Sequence, residues 1–348
     1  MVAPAATPPP STHPSADAAK VTASAEDAAA AVLACTLLVL SLASFAFILH
    51  FHLRASRRAG PHPRPRLLRL RDLNSLWAVR ILLVAFACLW SLAELLRLPC
   101  LRRSLLGRNS LPEYPPSSRL QLDPCSFYVL LSQGFAEPCF FATLLFLLHA
   151  SVQGKASYPN AFAAALALSL LASLPFLLSY ALFLAFAPWV LSLLGISPEV
   201  FFGRDTIGFE SGDRCSYPLF STALLGGFGA VYVPWFVSTC WRAVAVVINK
   251  RLRIRLYALT SAVVVGITLQ VATLALSTFW SPGDPAFEGL ALAAFLGVFF
   301  SAAVGEGVLV VYPIADAIDA VSWRPPVAAA TTAGDRGDGD GRTAHVSA

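Results

Sequence analysis

Three acids stand inside or near the ends of long apolar runs, Glu94, Glu137 and Glu306, and with them Arg80 and His149. An ionisable side chain in hydrocarbon is costly to keep there and is usually paired or used, so these residues are where chemistry is to be sought. Glu94 has Arg97 three residues on, the spacing at which side chains on one helix face pair, and this predicts a structural ion pair close to a span end. Glu137 differs, because a rise of about 1.5 Å per residue puts it roughly 17 Å below Cys125, near the middle of a bilayer. Pro138 follows at once and frees a backbone carbonyl there. The pair predicts a buried polar centre, with a simple interhelical hydrogen bond as the plainer alternative. Glu306 lies between Gly305 and Gly307 at a depth like that of Arg80, and the two would form a buried ion pair if the second and seventh spans are neighbours.

Other chemistries are missing. Of His13, His50, His52, His62, His149 and His345, only His149 falls well inside an apolar run, so no metal-binding set of histidines exists. There is no P-loop and no GxSxG elbow, and the last apolar run holds no lysine for a retinal Schiff base. The chain is therefore read as a non-enzyme with no cofactor, no metal and no nucleic-acid partner.

The elements that hold these residues follow from composition. The sequence is 57% hydrophobic and 13% charged, against roughly 25% charged in an average soluble domain. Uncharged stretches at Ala28 to Leu53, Ala156 to Pro198, Cys215 to Trp241 and Leu256 to Gly283 each exceed the roughly 18 to 20 residues of a spanning helix. Hydropathy gives an all-α membrane protein, a seven-transmembrane helix bundle over residues 28–316, with spans at about 28–50, 76–98, 126–150, 161–187, 217–241, 256–280 and 289–312. Pro188 and Trp189 end the fourth span near Ala187 and leave Val190 to Ser197 at the interface. Residues 1–27, rich in Pro, Ala, Ser and Thr, and residues 317–348 are read as disordered tails. The first run is longer than a signal core and is read as a retained anchor.

Loop charge sets the orientation. Arg54, Arg57, Arg58, Arg64, Arg66, Arg69 and Arg71 follow the first span, while Glu26 and Asp27 precede it. With the N-terminus outside and the C-terminus cytosolic, bases favour the inner side by about two to one, although Arg97, Arg102, Arg103, Arg108 and Arg119 oppose the trend. Trp77, Trp241, Trp280 and Tyr312 then fall at span ends, as an aromatic belt requires. The stub from Asn249 to Arg255 extends the fifth span into the cytosol, and its Lys250, Arg251, Arg253 and Arg255 face either the anionic lipid bilayer or an acidic docking partner. Cys35, Cys88, Cys139 and Cys240 are packing residues inside spans. Cys125 and Cys215 lie outside, where a disulfide between them would tie the loop before span five over the bundle, with Cys100 to Cys125 as the competing pair.

The strings LNSLWAVRILL (Leu73 to Leu83), ELLRLP (Glu94 to Pro99), VINKRLRIRLY (Val247 to Tyr257) and GEGVLVVYPIAD (Gly305 to Asp316) resemble a plant family of seven-span membrane proteins described as candidate G-protein-coupled receptors. The resemblance runs from about the first span to Asp316 and leaves both tails outside. It implies a heptahelical plasma-membrane protein associated with a G-protein α subunit, and it implies no particular ligand. The activation motifs of animal receptors are missing here. Two functions remain in view: a receptor-like signalling protein, or a proton- or cation-coupled transporter of a small solute using Glu137 and Glu306. In the second, Gly226, Gly227, Gly229 and Pro234 would make span five flexible. Transporters built from repeated halves should show matching spans, and Arg80, Glu94 and Glu137 have no counterparts in spans five and six.

Overall fold

The computed structural model describes residues 16–57, 76–98, 124–153, 161–194, 219–280 and 284–316, and it is all helical. The helices are α1 (Ala16–Arg57), α2 (Trp77–Arg97), α3, α4 (Ala161–Leu194), α5 (Leu219–Val246), α6 (Lys250–Ser277) and α7 (from Pro285). Helix α3 runs as α-helix over Pro124–Val129, as π-helix over Leu130–Ala136 and as α-helix again over Glu137–Gln153. Helix α7 is α-helical over Pro285–Glu306, passes through a π segment at Gly307–Val311 and continues to Asp316. All seven are long and apolar enough to cross a membrane, which is the architecture of an integral membrane protein. Hydrocarbon offers no partner to backbone N–H and C=O groups, so a chain of this composition satisfies them within helices.

Several boundaries differ from the sequence reading. Helix α1 begins at Ala16, inside the stretch read as a disordered tail. Residues 16–30 are rich in alanine, the best helix former, and they extend an existing helix, which avoids the cost of nucleating a new one. Helix α4 does not stop near Ala187 but continues through Pro188 to Leu194. The basic stub belongs to α6 and not to α5: α5 ends at Val246, three residues turn the chain, and Asn249 caps α6 by accepting from the Arg251 backbone N–H at 3.0 Å. Helix α5 passes unbroken through Pro234. The tail 317–348 and both disulfide pairings fall outside the described residues or side chains. The four cysteines of the spans, Cys35, Cys88, Cys139 and Cys240, are free.

Burial identifies the centre. In the most apolar stretch of α3, 78% of residues are buried, against 28% in α1 and α4, so α3 is the axis and the other two keep broad apolar sides on the outside of the bundle. Helix α1 buries Ala34, Leu37, Ser41, Ser44 and Ile48, a narrow seam at alternating spacings of three and four, and leaves Val32, Val39 and Phe47 exposed. That seam packs against both α2 and α7. Around α3 sit α2, α4 and α5, the last through a ladder of rings at Phe228, Tyr232 and Phe236, with Tyr232 Oη donating to the Phe141 carbonyl at 3.0 Å. Trp241, Trp280 and Tyr312 are exposed, whereas Trp77 is half-buried and stacks on His52 at 4.0 Å.

The most intimate pairing joins α6 to α7. Gly266 and Gly297 face one another so closely that a Cβ on either would collide with the other's carbonyl oxygen, and Ser301 Oγ lies within 3.1 Å of the Ala262 carbonyl across the same contact. Small residues that let backbones approach are how helices associate where lipid is as apolar as side chains. Gly266→Ala should therefore lower stability by about 1–3 kcal/mol, the usual range for overpacking. Gly227→Ala, whose Cβ would meet nothing within 4 Å, should be neutral or stabilising by up to about 1 kcal/mol. Thermal unfolding of the two variants in one detergent checks the contrast.

Candidate functional site

Helix α2 places Trp90, Glu94 and Arg97 on one side at spacings of four and three. Glu94 and Arg97 pair as their spacing predicts, at 3.8 Å, but the pair is only the rim of a larger constellation. Glu94 is 7% exposed, and its Oε1 also accepts from Tyr128 Oη at 2.7 Å and Ser132 Oγ at 3.1 Å, both on α3. Ser132 lies 3.4 Å from Glu137 Oε1, which accepts from Trp90 Nε1 at 3.1 Å. Gln270 of α6 donates through Nε2 to Glu137 Oε2 at 2.7 Å. One connected polar chain thus runs Arg97, Glu94, Ser132, Glu137, Gln270 through three helices. Glu137 is thus held by interhelical hydrogen bonds on both oxygens, and Glu94 joins the same chain of contacts.

The π segment explains the convergence. In a regular α-helix residues five apart point about 140° away from one another, so Ser132 and Glu137 would not share a face. Here the Glu137 backbone N–H bonds to the Ser132 carbonyl, five residues back, and the widened turn brings both side chains to α2. Pro138 supplies the reason for the widening, since it has no N–H and its ring crowds the carbonyl four residues earlier. The same device recurs in α7, where the π segment follows Glu306, the Tyr312 N–H reaches back to the Gly307 carbonyl, and Pro313 comes next. Sequence reasoning registered Pro138 but not Pro313 and missed the changed register, so Tyr128, Ser132, Trp90 and Gln270 were not singled out. The signal within reach was the run Ser132, Gln133, Glu137, Pro138, whose polar residues are too many for a lipid-facing segment.

Glu306 is fully buried and stands apart from this chain. Ser41 of α1 donates to its Oε1 at 2.6 Å, while its Oε2 has no partner. The expected pair with Arg80 is not formed: Arg80 is half-buried with its Nε unpartnered, and although α2 and α7 touch where Trp90 stacks on Phe295, Glu306 is bonded to α1. Span one, not span two, supplies the partner. His149 is exposed on α3.

Among the described residues the two ends of the bundle differ in charge. At one end a shallow cleft, open to solvent, is lined by Glu26, Asp27, Glu94, Arg97, Glu288 and Phe295. At the other end Lys250, Arg251 and Arg253 are exposed. Arg255 is not available in the same way, because it holds Asp316 Oδ2 at 2.6 Å and lies 4.2 Å over the Tyr312 ring. Arg253 Nη2 closes the turn by donating to the Val247 carbonyl at 3.0 Å. Among the described residues no group of three or more His, Cys, Asp and Glu side chains is arranged to hold a metal.

A family model described as "Uncharacterised conserved protein UCP031277" matches residues 18–324, a range that takes in all of these clusters. No curated protein and no solved structure matches the chain.

Removing an acceptor from buried donors costs about 1–3 kcal/mol for each group stranded. Glu137→Ala strands Trp90 Nε1 and the Gln270 amide and should lower thermal stability far more than Glu137→Gln, which keeps an acceptor. Exchanging charge at the other site, Arg80→Glu together with Glu306→Arg, should rescue neither single variant, because the residues do not touch; expression and melting temperature of the three proteins side by side decide it.

Proposed function

We propose that the chain, which belongs to the uncharacterised conserved family UCP031277 that it matches over residues 18–324, is a receptor-like heptahelical membrane protein. In this reading its N-terminus is outside and its basic end faces the cytosol of a plant cell at the plasma membrane. That end docks an acidic partner such as a G-protein α subunit. The observation that carries the reading is a convergence. Two of the strings that resemble the plant family, Val247 to Tyr257 and Gly305 to Asp316, are far apart in the chain, and they meet in the Arg255, Asp316 and Tyr312 contact. Beside it stand Lys250, Arg251 and Arg253, exposed at the start of α6, where the helix dipole already repels a base and an anionic surface would relieve both charges. A rim of this kind acts on encounter rate and partner choice.

Transport of a proton or cation is the second reading. The polar chain from the cleft residue Glu94 to Glu137 favours it, since intramembrane acids commonly mark ion paths. The chain stops at Gln270, however, and Glu306 is held separately on Ser41, so a path through both acids is not continuous among the described residues.

Co-purification in mild detergent with a purified G-protein α subunit separates the two. Replacing Lys250, Arg251 and Arg253 with Gln, which leaves the Arg255 and Asp316 tie in place, should abolish saturable binding without loss of folding. Arg255→Gln alone should loosen the α6 and α7 ends and reduce binding less. No binding by folded wild-type protein, together with pH-driven flux in liposomes that Glu137→Gln stops, would overturn the receptor-like reading in favour of transport.

A further inference from the structure

The buried centre poses a problem of hydrogen counting. Ser132 has a single hydroxyl hydrogen, yet its oxygen lies 3.1 Å from Glu94 Oε1 and 3.4 Å from Glu137 Oε1. If both carboxyls were ionised, every oxygen would be an acceptor, and one of the two serine contacts would set lone pair against lone pair in a site from which water is excluded. One added hydrogen removes the conflict, because Ser132 then donates to one carboxyl and accepts from the other. A second observation points the same way. Gln270 is 3% exposed and donates to Glu137 Oε2, but its own Oε1, on the same amide, has no partner. A buried acceptor without a donor costs free energy, and this one belongs to the same amide that bonds Glu137 Oε2.

We propose that Glu94 and Glu137 together bind one proton, taken up from the cleft at Glu94 and passed by Ser132 to Glu137. Helices α1, α2, α3, α6 and α7 bring polar or ionisable groups to this pair. Helix α2 contributes Arg97, 3.8 Å from Glu94 Oε2. Helix α1 contributes Glu26 and Asp27 to the cleft, and α7 contributes Glu288. Helix α3 adds Tyr128 and α6 the neutral Gln270. The described cation of this set stands at Glu94 and none stands within ion-pair distance of Glu137, which makes Glu137 the resting place of the proton. The transfer balances: the acid O–H of Glu94 breaks as its hydrogen moves to Ser132 Oγ, and the serine's own hydrogen passes to Glu137 Oε1. Ser132 ends unchanged, and one negative charge has moved from Glu137 to Glu94. Three carboxyls beside Glu94 at the cleft draw protons to the entrance by attraction alone. The inference goes beyond both functions above, since a signalling bundle and a transporting one would each present the same site.

Infrared difference spectroscopy on the full-length protein in nanodiscs, titrated with pH, reads the proton directly as the C=O stretch of a neutral carboxyl. The expected result is one such band that disappears as pH is raised and that moves when the protein is grown with ¹³C-labelled glutamate, which distinguishes Glu from Asp. It should vanish in Glu137→Gln, survive in Glu306→Gln and change frequency in Ser132→Ala, a substitution small enough to fit the cavity it leaves. Absence of the band from folded wild-type protein at every pH would overturn the proposal, as would a band that Glu306→Gln removes or that Ser132→Ala leaves unmoved. The wild-type and labelled measurements stand without any variant, so a Glu137→Gln protein that does not fold still leaves the proposal open to refutation.

Discussion

Glu137 stands on the most buried helix of the bundle and receives hydrogen bonds from α2 through Trp90 and from α6 through Gln270. Three helices meet at this one side chain, and the constraint behind it is dielectric. A carboxyl that cannot reach water must be surrounded by donors, and the donors must come from neighbours because its own helix has spent its N–H groups on itself. The positions of α2 and α6 relative to α3 are thereby fixed by polar geometry, while the remaining contacts, rings and small residues, fill space around that decision.

Both buried acids of the inner bundle, Glu137 and Glu306, border a π segment with a proline within reach. A proline alone would leave a carbonyl bare in hydrocarbon, and a wide turn alone would be poorly packed. Together they form a place where the helix changes phase, and the acid beside it presents its carboxyl to a helix that regular geometry would have missed. The two places differ in outcome. Glu137 is enclosed by several donors, whereas Glu306 has one, Ser41, and its second oxygen is left bare. The pairing of Glu306 with α1 also explains why α1, exposed along most of its length, buries Ser41 on an otherwise apolar seam.

The seven helices were legible in the sequence because length and hydropathy are one-dimensional properties, and a span that must cross hydrocarbon announces itself. The importance of Glu137 with Pro138 was legible for the same reason, since a charge in an apolar run is an anomaly on its face. Neighbour relations were not. Arg80 and Glu306 sit at matching depths, as counted, yet depth says nothing about angular order around the bundle, and Glu306 is bonded to Ser41 of α1 instead. The helix limits moved where propensity and caps outweighed charge: Asn249 starts α6 ahead of its bases, and alanine carries α1 back to Ala16. Gln270 lies in a long apolar run and was overlooked because a lone amide there is unremarkable until its partner is known.

The backbone contact of Gly266 with Gly297 has a mechanical consequence. Helices joined at their middles by main-chain contact and at one end by Arg255 and Asp316 cannot slide past each other, though they can tilt as a single plate. Gln270 lies one turn from Gly266 on that plate, in contact with Glu137, and Arg255 lies at its far edge. The α6 and α7 pair is in this sense one stiff plate, and its joint is made of two residues that have no side chains.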